Sequence, residues 1–240
     1  KDVKLGGEIS LAFWLIGGSF SLVFGFLSDK HSRKRLLLYS VLLAETACLL
    51  TGFVENYNQF FWLRSLTGIG IGAIIPITYS LIGDFFPAEK RSLVSGLLSL
   101  VVGLGIVGGQ LLAGIGGEQF GWKACFIIVS VPNFFVLIFY YFLGKDPKRG
   151  SSDRSLVKPS ETKIITIFKI KTNLLVFIQG AAGSIPWAVF FVFLVDYLAY
   201  DIGFSVKNAT IVVSVIGVSA IFGSFFGGVI GNIVFNKNPK

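Results

Sequence analysis

The sequence predicts an all-α membrane protein with several spans, and three observations support this. Its 240 residues are 53% apolar and only 14% charged, whereas soluble domains carry about 25% charged residues. Seven apolar runs, residues 9–28, 36–54, 60–84, 93–115, 124–143, 173–200 and 208–231, each come near the ~20 residues a helix needs to cross a bilayer. The cations gather in the connections between runs. The runs lack the alternation of ~10-residue barrel strands, so helices are the form that satisfies their backbone in lipid. Glycine punctuates nearly every run, as expected where helices pack through small residues.

The first connection sets the orientation. It carries Gly25, Asp29, Lys30, Arg33, Lys34 and Arg35. Sixteen Lys and Arg lie on its side of the membrane, including Lys90, Arg91 and the eight cations of residues 145–171. Lys1, Lys4, Lys123 and Lys207 lie on the other, with Arg64 inside a run. Cytoplasmic loops collect Lys and Arg, so loop 28–35 and connection 144–172 are expected in the cytoplasm of a multi-pass protein, in a plasma or organelle membrane. The opening residues are then across the membrane. With no signal peptide pattern, no Met and Lys1 at the start, a preceding helix is expected. The net charge of +8 reads as a topology signal. No basic face with interleaved aromatics remains for nucleic acid.

Connection 144–172 is polar and basic, of interdomain-linker length. Its residues 163–171 form either an amphipathic surface helix or a plain lead-in to the next run. The two ends of the chain echo one another. Gly25 to Asp29 closes the first run and Gly228 to Asn232 the last, with Ser21 and Ser224 in register. Such internal repeats are common in membrane transporters. The expected organisation is an N-terminal lobe at 1–143 lacking its first helix, a linker at 144–172, and the start of a second lobe at 173–240.

Three ionisable residues fall inside runs, where charge is costly and marks candidate function. Glu45 lies mid-run, where an unpartnered carboxylate would take up a proton; coupling and a structural hydrogen bond are both open to it. Arg64 lies one turn inside its run. It either snorkels to the interface or looks inward at substrate or a coupling ion, since it shares a helix face with Gly68 and Gly72. Asp196 sits beside Tyr197 and Tyr200, an interfacial pair, as an outer-gate residue or a wetted helix end. Gly180, Gly183 and Pro186 interrupt run 173–200, permitting a bend that frees backbone groups toward a cavity. Gln179, Ser184 and Trp187 are therefore candidate cavity lining.

His31 is the sole histidine, and Cys48 and Cys125 lie inside runs, so neither a metal site nor a structural disulfide is expected. No cofactor is expected. There is no paired-carboxylate or Ser/His arrangement and no Gly-x-x-x-x-Gly-Lys-(Ser/Thr) phosphate loop. The chain does not read as an enzyme.

Gly25, Asp29, Lys30, Arg33 and Lys34 match Gly-x-x-x-Asp-(Arg/Lys)-x-Gly-(Arg/Lys)-(Arg/Lys), with Ser32 for the second glycine. On this motif the chain resembles the major facilitator superfamily. Further blocks resemble its Spinster-like branch: Arg64 with Gly68, Gly70, Gly72 and Pro76; Ser80, Asp84, Pro87, Glu89 and Arg91; Gly121-Trp122-Lys123; Pro147-Lys148-Arg149-Gly150; and Gln179-Gly180 with Ile185-Pro186-Trp187. Ile71 stands where that branch often has Glu. The segment Gly108-Gly109-Gln110 departs from the fifth-helix antiporter motif, so antiport is not supported and a glycine packing face is the plain reading.

The resemblance implies helices two to eight of a twelve-helix fold with two six-helix lobes. It also implies a latch in which Asp29, Arg33, Lys34, Arg35, Asp84 and Arg91 hold the cytoplasmic face shut while the outer face is open; a solvated loop that only sets topology is the alternative. In that fold the third helix usually packs outside the cavity, which favours a structural Glu45. The function expected is secondary transport by alternating access. The implied cargo is a lipid-like or amphipathic organic anion, such as a lysophospholipid or sphingoid phosphate, with protons as a candidate coupling ion and membrane lipids as neighbours of a monomer. A general organic-solute or drug exporter and a non-transporting receptor are the alternatives.

Overall fold

The computed structural model describes residues 2–151 and 169–237. Eight α-helices occur among them: α1 (Asp2–Lys30), α2 (Arg33–Thr51), α3 (Tyr57–Phe85), α4 (Ala88–Leu111), α5 (Gly117–Phe120), α6 (Trp122–Leu143), α7 (Lys171–Asp196) and α8 (Val206–Lys237). A π-helical turn, Leu112–Gly116, joins α4 to α5, and another, Tyr197–Asp201, ends α7. Helices α1, α3 and α8 extend past their apolar runs at both ends. The run measures the hydrocarbon layer, and the helix continues into the wetted interface. Six of the described helical stretches are long and apolar enough to cross a membrane. The 19-residue α2 falls outside that group, because Arg33, Lys34, Arg35 and Glu45 dilute it.

Local chemistry sets the breaks. The Ser32 hydroxyl accepts from the Arg35 amide at 3.4 Å to start α2. At the start of α3, Asn56 accepts from the Gln59 amide at 2.9 Å, while the Gln59 side chain accepts from the Glu55 amide at 2.9 Å. This reciprocal cap satisfies amides that have no partner within the helix. Gly121, at φ 81°, makes the sharp turn into α6. Pro76, Pro132 and Pro186 all lie inside helices. Around Pro186, α7 stays a continuous helix, so the expected interruption is not a break in secondary structure.

The third helix is the hub, packed against α1 on one side and α2 on the other. A Cβ on Gly72 would lie 2.2 Å from the Gly17 carbonyl oxygen, and one on Gly68 2.5 Å from that of Phe13. On the opposite side, a Cβ on Gly70 would lie 2.5 Å from the Ser40 carbonyl oxygen. Facing it, α2 buries Ser40, Ala44, Ala47 and Thr51, spaced three or four apart. Lower on α3, Ala73, Ile77 and Leu81 form a buried cluster with Phe24, Leu36 and Leu37 against it. The outer flank of α2 meets α6, where Gly52 leaves room for Ile127.

Helices α7 and α8 pack on each other, and α8 lies along α4. Gly103 accommodates Ile221 and Gly114 accommodates Thr210. The expected glycine packing face is thus confined to Gly103 and Gly114, since a Cβ on Gly105, Gly108 or Gly109 would meet nothing within 4 Å. Outward faces carry large apolar residues such as Leu22, Phe142 and Val136, exposure that suits lipid rather than water. Of the sequence echo, residues 25–29 close α1. The side chains of residues 228–229 and 231–232, and residues 163–168 of the amphipathic segment, lie outside the described residues.

Gly72→Ala should destabilise the protein by about 1–3 kcal/mol, because the added methyl has no room against α1. Gly96→Ala meets nothing within 4 Å and should be neutral or slightly stabilising. Thermal unfolding in detergent compares the two; equal midpoints would contradict the close α1–α3 approach.

Candidate functional site

Two groups of polar residues stand out, at opposite ends of α3. At one end, Arg33 opens α2 and Asp84 nearly closes α3, so each charge sits at the end of its own helix dipole that disfavours it. Facing one another, they relieve both conflicts. Arg33 is 3% exposed and forms an ion pair with Asp84. Its Nη1 also donates to the Ser80 carbonyl at 3.0 Å and hydroxyl at 3.1 Å. Nη2 donates to the Pro147 carbonyl at 3.4 Å, and Nε lies 3.8 Å from Asp146.

The segment after α6 completes this end. The Gly150 amide donates to the Asp84 carboxylate at 2.8 Å, and the Ser151 hydroxyl to the Asp84 carbonyl at 2.7 Å. Arg149 donates to the carbonyls of Ser28 at 2.9 Å and His31 at 3.2 Å, covering the end of α1. Arg91 does the same for α3, donating to Phe86 at 3.0 Å and Gly83 at 2.6 Å. Helix ends otherwise leave such carbonyls without partners. A Cβ on Gly25 would lie 3.9 Å from that of Pro76, so this glycine is not required by close packing. Asp29 and Arg35 are exposed, Lys30 lies 4.3 Å over the Phe26 ring, and Lys34 5.9 Å over that of Tyr141. Thus Arg33 and Asp84 pair, with Arg91 capping the same helix end, while Asp29, Lys30 and Arg35 are exposed and Lys34 is half-buried.

At the other end of α3 lies a cavity of about 960 Å³, bordered by α1, α3, α4, α6 and the α2–α3 connection. Arg64 lines it. Its Nη2 donates to the hydroxyls of Thr51 and Thr67, each at 3.1 Å. Those hydroxyls in turn donate to Ala47 and Leu63, both at 2.8 Å. The guanidinium lies 4.6 Å over the Phe126 ring, and its buried Nε has no hydrogen-bond partner among the described residues. Phe60, Trp122 and Phe126 stand edge to face around it. Lys123 also borders the cavity and donates to the Val54 carbonyl. Mostly apolar walls, aromatic rings and a held cation with a spare donor suit an organic anion.

Glu45 accepts from the Asn133 amide at 2.9 Å across the α2–α6 contact, within Coulombic reach of Arg64. It does not border the cavity. Gln179, Ser184 and Trp187 are exposed on α7, away from that cavity. Ser184 donates to the Gly180 carbonyl at 2.6 Å, and the Trp187 ring stacks on Phe191 at 6.0 Å. Asp196 is exposed at the end of α7 beside exposed Tyr197 and Tyr200. Sequence reasoning assigned no role to Ser80, Asn133, Asp146, Arg149 or Phe126. Of these, Ser80, Phe126 and Arg149 sat in or beside blocks already noted for resemblance, without a role.

Replacing Asp84 by Ala strands a buried guanidinium and should cost about 3–5 kcal/mol. Adding Arg33→Met should recover part of that loss. A thermal-melt double-mutant cycle measures this, and additive losses would sink the coupling.

Residues 3–240 match the profile of the Major Facilitator Superfamily. Multidrug resistance protein 3 of Bacillus subtilis (strain 168) is 36% identical over 122 residues, 50% of this chain and 24% of that protein. The Cis,cis-muconate transport protein of Acinetobacter baylyi is 26% identical over 212 residues, 85% of this chain and 51% of that protein. The crystal structure of a bacterial homologue of the human lysosomal transporter Spinster superposes with TM-score 0.77 at 21% identity, over 99% of this chain and 56% of that one. The chain therefore spans about half or less of the length of these proteins. The family profile, the helical packing and the motif at residues 25–34 agree: the chain belongs to the major facilitator superfamily.

Proposed function

We propose that this protein is a secondary active transporter that works by alternating access and carries an amphipathic organic anion. Arg64 carries the proposal: a guanidinium held through Nη2 by two threonines and covered by a ring, its buried Nε without a hydrogen-bond partner among the described residues, at the wall of an apolar cavity. Such a cation meets a carboxylate or phosphate head, and the rings beside it meet an apolar body. Relatives named for transport of cis,cis-muconate and benzoate support an organic anion. Lysophospholipids and sphingoid phosphates, the cargo implied by the sequence resemblance, belong to the same chemical class.

In this proposal residues 1–143 form one lobe, 144–172 link it to a second, and the Arg33–Asp84 end faces the cytoplasm. Separation of helix ends opens that face, so the network there acts as the inner latch. Asp29, exposed at the end of α1, offers its carboxylate to a helix end of the opposite lobe. Gln179, Ser184, Trp187 and Asp196 line the path from α7. Glu45 serves α2–α6 packing through Asn133. A drug-exporter role has one supporting observation, the similarity to Multidrug resistance protein 3.

Counterflow in proteoliposomes tests the proposal, with benzoate, muconate and a lysophospholipid as labelled solutes and an imposed pH gradient. Saturable counterflow of at least one anion is expected; binding without counterflow would mark a receptor instead. Arg64→Gln should cut anion uptake about ten-fold or more, as loss of a charge-assisted contact does, while Glu45→Gln keeps any pH-driven component. Asp29→Asn should shift accessibility toward the inward-open state; unchanged cysteine labelling on both faces would remove Asp29 from the latch.

A further inference from the structure

At its far end, the segment that follows α6 is anchored to Asp84 by Gly150 and Ser151. Gly150 has φ 67°, a left-handed turn that suits glycine. The turn brings the Gly150 amide to the Asp84 carboxylate and the Ser151 hydroxyl to the Asp84 carbonyl, at 2.8 and 2.7 Å. Ser151 is exposed and lies outside any helix. Lys148 and Arg149 precede it by three and two residues, the spacing of cations that basophilic serine/threonine kinases read. We propose that Ser151 is a phosphorylation site for such a kinase, and that its phosphate releases residues 146–151 from the Arg33–Asp84 pair.

The reaction needs only Mg-ATP and the kinase. The Ser151 hydroxyl oxygen bonds to the γ-phosphorus, the bond from that phosphorus to the β,γ-bridging oxygen breaks, ADP leaves, and the hydroxyl proton passes to the kinase's base. The product has lost the donor that held the Asp84 carbonyl. In its place stands a charge of about −1.5 to −2 at neutral pH, against a carbonyl and a carboxylate. Exposed Lys148 can screen the charge without replacing the lost donor, while Arg33 and Arg149 are committed elsewhere. Arg33 is buried and engaged by Asp84, Ser80 and Asp146. Arg149 reaches a phosphate only by leaving the Ser28 and His31 carbonyls. Repulsion and recruitment of Arg149 therefore both undo the same anchor.

The closed segment also hides its own recognition element. While Arg149 covers the end of α1, a kinase that reads it engages only the released form, so modification captures the open population. This inference rests on the proposed cytoplasmic placement of this end, where ATP and kinases are found.

Purified protein in detergent, treated with a basophilic kinase and Mg-ATP, tests the site without reference to sidedness. Phosphopeptide mass spectrometry should find the phosphate on Ser151, with none at that peptide in Ser151→Ala. Amide hydrogen exchange over residues 146–151 should be about ten-fold faster in the phosphorylated protein and in Ser151→Asp, as loss of one or two hydrogen bonds implies. Phosphate on Ser152 alone, no phosphate, or exchange that is unchanged or slower overturns the proposal. Impermeant maleimide on Lys148→Cys in intact cells tests placement separately. Labelling from outside would overturn the cytoplasmic placement and, with it, phosphorylation in the cell.

Discussion

The close approach of α3 to α1 and α2 is the constraint from which the two polar ends take their geometry. Gly68 and Gly72 let the α1 backbone lie against α3, and Gly70 admits that of α2. In lipid there is little hydrophobic drive between helices, so contact area gained through small residues has to supply association. The same spacing turns α3 into a rod with a function at each end. Arg64 and Asp84 are twenty residues apart, about 30 Å along a helix, and each side chain reaches residues contributed by neighbouring elements.

At the Asp84 end, the arrangement follows from the arithmetic of helix ends. Cations at the start of α2 and an acid at the end of α3 are each unfavourable alone. Their pairing, with Arg149 over the end of α1 and Arg91 over the end of α3, gives partners to carbonyls that would otherwise have none. Residues 146–151 are therefore part of the first helical group as much as of the connection that follows. Any motion that pulls on that connection acts directly on the Arg33–Asp84 pair.

At the Arg64 end, charge is tolerated because it is distributed. Two threonine hydroxyls accept from the guanidinium while donating to their own helix carbonyls, and the Phe126 ring covers one face. Thr51 comes from α2 and Phe126 from α6, so the cation reports on three helices at once. Glu45 and Asn133 bridge two of the same helices nearby. Glu45, Arg64 and Asn133 thus lie along the α2–α3–α6 contacts, and the exposed residues of α7 around Pro186 stand apart from them.

Much of this protein was legible in its sequence because the bilayer imposes one-dimensional rules. Run length and apolar composition located the spans, small-residue spacing marked a close-packing face on α3, and residues 25–34 carried the family resemblance. The run that contains α2 was legible although its charges dilute its hydropathy, since a helix bounded by loops of the right length must still traverse the layer. What the sequence by itself determined was therefore the seven long helices, their class and a set of charged candidates that includes Arg33, Asp84 and Arg64. Only the tertiary structure decided who meets whom. It paired Arg33 with Asp84 and left Asp29 exposed, gave Glu45 to Asn133, and folded Arg149 back onto α1. Those partners lie 51, 88 and 118–121 positions apart in the chain. No local periodicity encodes such distances; helix crossing positions set them, and these depend on where glycine lets backbones touch.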